Sequence, residues 1–136
     1  MTPVQRASRW AVLVTATLVV VGVFLQAYLI AAYSFGGGED ALDAHTGVGD
    51  VVHGIEALVF LAAIVAYWRR WGEIGLGLAL IVIGSVQLSL AESGEPWVAG
   101  LHGLFALLVL VLAAVITHRA VRALGLGRHG RMPGAP

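Results

Sequence analysis

Residues 53–70, HGIEALVFLAAIVAYWRR, and residues 102–119, HGLFALLVLVLAAVITHR, share one pattern. Both segments fit the frame H-G-x-x-A-L-x-x-L, and each reaches an arginine 17 residues after its histidine. Both are apolar over nearly the length of a membrane-spanning helix, which needs roughly 20 residues. The shared pattern therefore predicts two equivalent transmembrane helices within an internally repeated chain.

The composition of the whole chain agrees with a membrane protein. Of its 136 residues, 59% are hydrophobic and 12% are charged, whereas soluble domains carry about 25% charged residues. This length allows one domain. A formal net charge of zero argues against a nucleic-acid partner. The absence of cysteine excludes disulfides, thiolate metal sites and covalent haem attachment. These features predict a small multi-pass protein whose first partner is the lipid bilayer.

The apolar runs predict an all-α, transmembrane four-helix bundle made of two repeated helical hairpins over residues 1–124. The expected helices cover about 9–34, 50–70, 73–91 and 96–121. Between the first two, the Gly- and Asp-rich segment 36–50 has the composition of a loop. The last two are separated by a tight turn before Pro96, a residue suited to a first helical turn. Residues 125–136, rich in Gly and Pro, are expected to form a flexible cytoplasmic tail.

Charge is divided unevenly between the two ends of the four predicted spans. All eight basic residues are arginines and fall at one end: Arg6, Arg9, Arg69, Arg70, Arg119, Arg122, Arg128 and Arg131. The other end carries Glu39, Asp40, Asp43, Glu92 and Glu95. By the positive-inside rule, both termini and the 68–73 turn are expected in the cytoplasm, with the chain spanning the cell membrane several times.

The repeated histidines are the main candidates for a site. His53 and His102 stand at equal spacing from their arginines, so we expect them at equal depth near the outer face. Two such imidazoles can face each other across a bundle and bind the iron of one haem b. Another metal, a quinone, or a structural hydrogen bond to a neighbouring helix remains an alternative. Gln26 and Gln87, each within a Q-x-x-L match, are expected nearby, where they could bind haem, bind a quinone or join helices.

Three further side chains accompany His53 in the sequence. Asp50 and Glu56 lie three residues before and after it, so one helix face would hold all three. Glu56 is expected inside the membrane, where an ionisable residue suggests a proton relay or a partner for a ligand, unless it is simply protonated. Asp50 could act similarly or cap the helix. His45 is expected in the outer loop, as a third ligand, a proton carrier or a solvated residue.

Several of these residues resemble haem A synthase. Gln87-Leu88-Ser89-Leu90, then His102 with its Ala/Leu-rich run, and finally His118-Arg119 are similar to part of one half of that family. Asp50-Val51-Val52-His53 is similar to its Glu-x-x-His segment. The resemblance implies a four-helix half with haem between histidines of the second and fourth helices. Gly54 stands where the family usually has arginine, which favours a derived haem b protein over an enzyme that oxidises a haem methyl group.

Three functions follow from these patterns. The first is a haem b protein in electron transfer or haem handling, which as an enzyme would be a haem- or quinol-linked oxidoreductase with a redox partner. The second is a divalent metal-binding or transport module. The third is a cofactor-free accessory subunit, packed as a homodimer or within a larger membrane complex. The second would gather five side chains around one ion: His45, Asp50, His53, Glu56 and His102.

Overall fold

A computed structural model describes residues 1–126, and this part of the chain is helical with no strand. The helices are α1 (Pro3–Ala32), α2 (Gly38–Ala66), α3 (Trp71–Ala91) and α4 (Pro96–Leu124). A short π-helical segment, Tyr33–Gly37, joins the first two. The predicted all-α class is therefore confirmed. All but the first two residues of the predicted tail, 125–136, lie outside the described residues.

The number of separate spanning helices differs from the prediction of four. Three continuous helical stretches in residues 1–126 are long and apolar enough to cross a membrane: Pro3–Ala66, Trp71–Ala91 and Pro96–Leu124. The first contains α1, the π-helical segment and α2 without an intervening loop. A count of four separate helices is thus not confirmed, although helices of membrane-spanning length are.

The predicted loop 36–50 is wrong, because α2 already begins at Gly38. Only a few residues depart from helical geometry, including Gly36 and Gly38, whose φ angles of 96° and 71° suit glycine. Glu39 and Asp40 then occupy the first turn of α2, where carboxylates favour the positive end of the helix dipole. The polar residues that suggested a loop therefore stabilise the start of a helix.

The helices α1 and α2 pack against each other in opposite directions. A methyl group at Gly22 of α1 would overlap the side chain of Val52 on α2. Nearer the connection, the Gln26 side-chain amide donates a 2.6 Å hydrogen bond to the backbone oxygen of His45. A straight helix would hold residues 22 and 52 about 45 Å apart. The 64-residue stretch is consequently a hairpin, bent within residues 33–38.

Arg9 of α1 connects the C-terminal ends of α2 and α4. Its Nε donates to the backbone oxygen of Ala66 at 3.4 Å, and its Nη1 donates to that of Ala123 at 3.3 Å. The guanidinium carbon lies 5.3 Å from the centre of the Tyr67 ring. Burial, reinforced by the charge of Glu73, raises the pKa of the Tyr67 phenol. Arginine thus closes this end of the bundle by satisfying carbonyls that helix ends leave free.

Buried positions repeat between the two hairpins, with one sequence spacing for α2 and α4 and another for α1 and α3. The buried residues of α4 each lie 57 residues after a buried residue of α2, giving the pairs Val52/Val109, Glu56/Ala113, Val59/Ile116 and Ala63/Ala120. Between α1 and α3 the spacing is 61, giving Ala16/Gly77 and Val19/Leu80. The predicted equivalence of Gln26 and Gln87 fits this second spacing. The repeat between α2 and α4, however, has a spacing of 57 rather than the predicted 49.

Candidate functional site

The imidazole rings of His45 and His102 meet between α2 and α4. Their centroids are 6.3 Å apart, and the ring planes cross at 69°. The two residues are 57 positions apart, the spacing that also relates the buried residues of the two helices. His45 lies 21 residues before Ala66, and His102 lies 21 residues before Ala123. The backbone oxygens of Ala66 and Ala123 are the two that accept hydrogen bonds from Arg9. The residue that meets His102 is therefore His45, where the sequence repeat predicted His53.

Both rings are held by the same kind of hydrogen bond. The Nδ1 atom of His45 lies 3.1 Å from the backbone oxygen of Gln26, and that of His102 lies 3.1 Å from the backbone oxygen of Gln87. A carbonyl oxygen can only accept, so Nδ1 carries the hydrogen and Nε2 of the neutral ring keeps its lone pair. Metal-binding histidines usually donate their other ring N–H in this way. Both residues are therefore prepared to bind a ligand through Nε2.

The side chains of the two glutamines differ in their contacts. That of Gln26 donates to the backbone oxygen of His45, whereas Oε1 of Gln87 is buried and has no hydrogen-bond partner in residues 1–126. Buried polar atoms are nearly always paired. Gln87 thus offers a free acceptor beside His102. Both glutamines lie next to a histidine, as the sequence predicted, but the histidine of the first hairpin is His45.

His53 forms a separate pair with Glu56. Its Nδ1 lies 2.9 Å from Oε2 of Glu56, so the predicted shared face of these two residues is confirmed. Glu56 is 3% exposed and packs against Gly84 of α3. Along α2, His53 is eight residues beyond His45, a distance of about 12 Å. By the 57-residue spacing, its counterpart in α4 is Leu110, so the ionisable pair belongs to one hairpin only.

Asp50 does not join this pair. It is exposed and lies well inside α2, so the proposed capping role is wrong because the helix begins twelve residues earlier. Its side chain takes part in no hydrogen bond or ion pair within the described part of the chain.

The predicted cluster around a divalent ion is not found. Residues 1–126 contain no group of three or more His, Cys, Asp or Glu side chains placed to hold a metal ion. The reason is the length of α2, along which His45 and Glu56 are separated by about 16 Å. Of these five side chains, all within residues 1–126, His45 and His102 are the two that approach each other across the bundle.

Small residues leave space beside the histidines. A Cβ atom added at Gly54, Gly100 or Gly103 would meet no other atom within 4 Å. Gly103 follows His102 directly, so the face of α4 next to this ring is open. The open space near His53 and His102 is therefore at the surface rather than in an enclosed cavity.

Comparisons with protein-family models, with curated proteins and with solved structures find no match to this chain.

Proposed function

We propose that this chain is an integral membrane protein that binds one haem b near the outer face, through His102 and a histidine of α2. Its role would be electron transfer or haem handling. The observation that carries this proposal is the pair His45 and His102, held alike by two backbone carbonyls with ring centroids 6.3 Å apart. Two imidazoles with free Nε2 atoms are the residues that would hold the haem iron.

The number of available ligands favours haem over a divalent ion. A zinc site takes three or four protein ligands, and no third His, Cys, Asp or Glu side chain accompanies the two histidines in residues 1–126. Haem brings four nitrogens of its own, so two imidazoles complete the coordination. When bound, it supplies one-electron redox chemistry. The backbone oxygens of Gln26 and Gln87 orient the rings, and Oε1 of Gln87 remains able to accept from a polar group of a cofactor or quinone.

The ligand on α2 is proposed to be His45. Its ring meets His102, and its Nδ1 bond repeats the one made by His102. His53, which the sequence repeat and the family resemblance favour, is the alternative ligand. Its Nδ1 is bonded to Glu56, which would also leave Nε2 free. The two assignments differ in which variant loses the cofactor.

The proposed topology has four crossings, with α1 and α2 as one hairpin and α3 and α4 as the other. It is supported by the contacts of Gly22 with Val52 and of Gln26 with His45, which require the first 64-residue stretch to fold back. The arginine-rich end, at which Arg9 meets Ala66 and Ala123, would face the cytoplasm of a cell-membrane protein. The histidine pair would then lie near the outer face, accessible to quinol, another redox partner or a larger complex.

The test is a visible spectrum of the purified protein, oxidised and then reduced, compared among single alanine variants. We expect a Soret band and sharp reduced α and β bands in the wild type. His45→Ala and His102→Ala should lose the low-spin spectrum, while His53→Ala keeps it. His118→Ala is the matched control, because His118 is an exposed histidine at the arginine-rich end.

Each other outcome has a defined meaning. Loss in His53→Ala with retention in His45→Ala would move the ligand to His53. Retention in every variant, or a colourless wild type made with ample haem, would reject the haem proposal. Stoichiometric metal in such colourless protein would then support the divalent-ion function. Metal-free protein that purifies with other membrane subunits would support the accessory role.

A further inference from the structure

A second feature lies at the arginine-rich end, between α2 and α3. It is an apolar groove of about 380 Å³. Its walls are formed by Phe60, Ile64, Ile74 and Leu78. It lies at the opposite end of α2 from His45, and nothing in the proposed haem site uses it.

Aromatic and basic side chains line the end of the groove near the α2–α3 turn. Trp68 and Trp71 contribute to its lining and are 65% and 78% exposed. Exposed tryptophans near the ends of membrane helices mark the boundary between lipid and water. Arg69 also lines the groove. The groove therefore runs from the depth of lipid headgroups toward the depth of acyl chains.

The positive charge at this turn is uncompensated. Arg69 and Arg70 are exposed and form no salt bridge with any residue in 1–126. The nearest acidic residue in sequence, Glu73, is occupied by Arg119 at 2.8 Å. The positive end of the α3 dipole lies at the same turn, where the N-cap Arg70 makes no side-chain cap. An apolar groove with a cationic mouth is complementary to an amphiphile with an anionic head.

We propose that this groove binds an anionic phospholipid of the cytoplasmic leaflet. One acyl chain would lie against Phe60 and Leu78, and the headgroup phosphate would meet Arg69 and Arg70. A second copy of the chain fits less well. A parallel neighbour in the same membrane would bring its own arginine-rich end to the same depth, and like charges would oppose the contact.

Gly75 allows the groove to be blocked without changing any charge. It lines the groove, and a Cβ atom added to it would meet nothing within 4 Å. Gly75→Leu should therefore fill the space reserved for an acyl chain while leaving the buried core intact. Gly94→Leu is the matched control, because Gly94 is equally open but lies in the turn between α3 and α4, away from the groove.

The experiment is native mass spectrometry of the detergent-solubilised full chain. The protein is titrated with phosphatidylglycerol or phosphatidylcholine that carry the same acyl chains. We expect the wild type to retain the anionic lipid preferentially, by roughly fivefold for each arginine engaged. The double variant Arg69→Asn with Arg70→Gln should abolish the preference for the anionic lipid, because it removes both positive charges. Asparagine is chosen at residue 69 because it tolerates the positive φ of 67° there. Gly75→Leu should reduce the retention of both lipids.

The controls separate this site from general basic attraction. Arg122→Gln, which removes an exposed arginine of α4, and Gly94→Leu should behave as the wild type. Equal retention of the two lipids by the wild type would overturn the proposal. So would unchanged retention in Gly75→Leu. A wild-type dimer that Gly75→Leu converts to monomer would also overturn it, and would assign the groove to a second copy.

Discussion

The carboxylate of Glu56 on α2 rests directly against Gly84 on α3, at a point where even a methyl group would overlap it. The carboxylate is almost fully buried and is bonded to His53 on its own helix. The contact between α2 and α3 at this point thus consists of an ionisable side chain on one helix and a glycine, which has no side chain, on the other.

Gly84→Ala should destabilise the protein by about 1–3 kcal/mol, because the added methyl group forces Glu56 or α3 to move. Reversible unfolding in mixed detergent would measure the loss. Gly103→Ala, at an open helical position, is the control and should leave stability unchanged or raise it by up to about 1 kcal/mol, because alanine favours a helix more than glycine does. In the background Glu56→Ala, the effect of Gly84→Ala should largely vanish. An undiminished loss in that background would show that the methyl group clashes with something other than the carboxylate.

The topology can be tested cleanly because the chain contains no cysteine. We predict that Ser34→Cys and Ser93→Cys react with a membrane-impermeant maleimide added to intact cells. Thr2→Cys should react only after the membrane is permeabilised, since the proposed four crossings would put both turns outside and the N-terminus inside. Labelling of Thr2→Cys and Ser34→Cys from the same side would contradict the crossing of the membrane by α1.

Arg9→Lys should cost about 1 kcal/mol of unfolding free energy, although it conserves the charge. Only the branched guanidinium can donate to the carbonyls of Ala66 and Ala123 together while covering the Tyr67 ring. Thermal unfolding of the purified variant is the measurement. Arg6→Lys, at an exposed position on the same helix, should have no measurable effect. Equal stability of the two variants would mean that Arg9 contributes charge alone.

Replacing the two glutamines with leucine should change the stability of the protein in opposite directions. In cofactor-free protein, Gln26→Leu removes a hydrogen bond to the His45 carbonyl and should lower stability by about 1 kcal/mol. Gln87→Leu removes a buried acceptor that has no partner in residues 1–126 and should raise stability by a similar amount. If Gln87 instead serves a bound cofactor, the same variant should weaken cofactor retention. A loss of stability in cofactor-free Gln87→Leu would contradict this assignment.

The helical class and the equivalence of Gln26 and Gln87 could be predicted from the sequence, because long apolar runs and paired polar residues are explicit in it. The register between α2 and α4 could not. Apolar residues surround both helices, so periodicity does not mark the buried face, and the shared His-Gly pair suggested a spacing of 49. Burial gives 57, a difference of eight residues or about two helical turns.

The sequence predicts His45 only as a loop residue that could add a third ligand, and not as the helical counterpart of His102, because glycine and acidic residues around it are typical of a loop. A signal was nevertheless present. His45, Gly49, Val52 and Glu56 follow one another at intervals of four, three and four residues, which continues the buried stripe of α2 beyond its predicted start. This interpretation depends on the chain reversing direction within residues 33–38. The composition of segment 36–50 does not show that the reversal takes so few residues.

The pairing of Glu56 with Gly84 also has a consequence for assembly. Two hairpins with one burial pattern could associate like with like, so that the first hairpin of one chain would pair with the first hairpin of another. By the 61-residue spacing, α1 would then offer Val23 to Glu56 where α3 offers Gly84. The valine side chain would occupy the space of the buried carboxylate, so pairing with α1 of another chain is disfavoured. A buried polar residue can select one helix pairing over another in the same way. Glu56 therefore makes the first hairpin select a second hairpin as its partner, and it disfavours the pairing of two first hairpins from neighbouring chains.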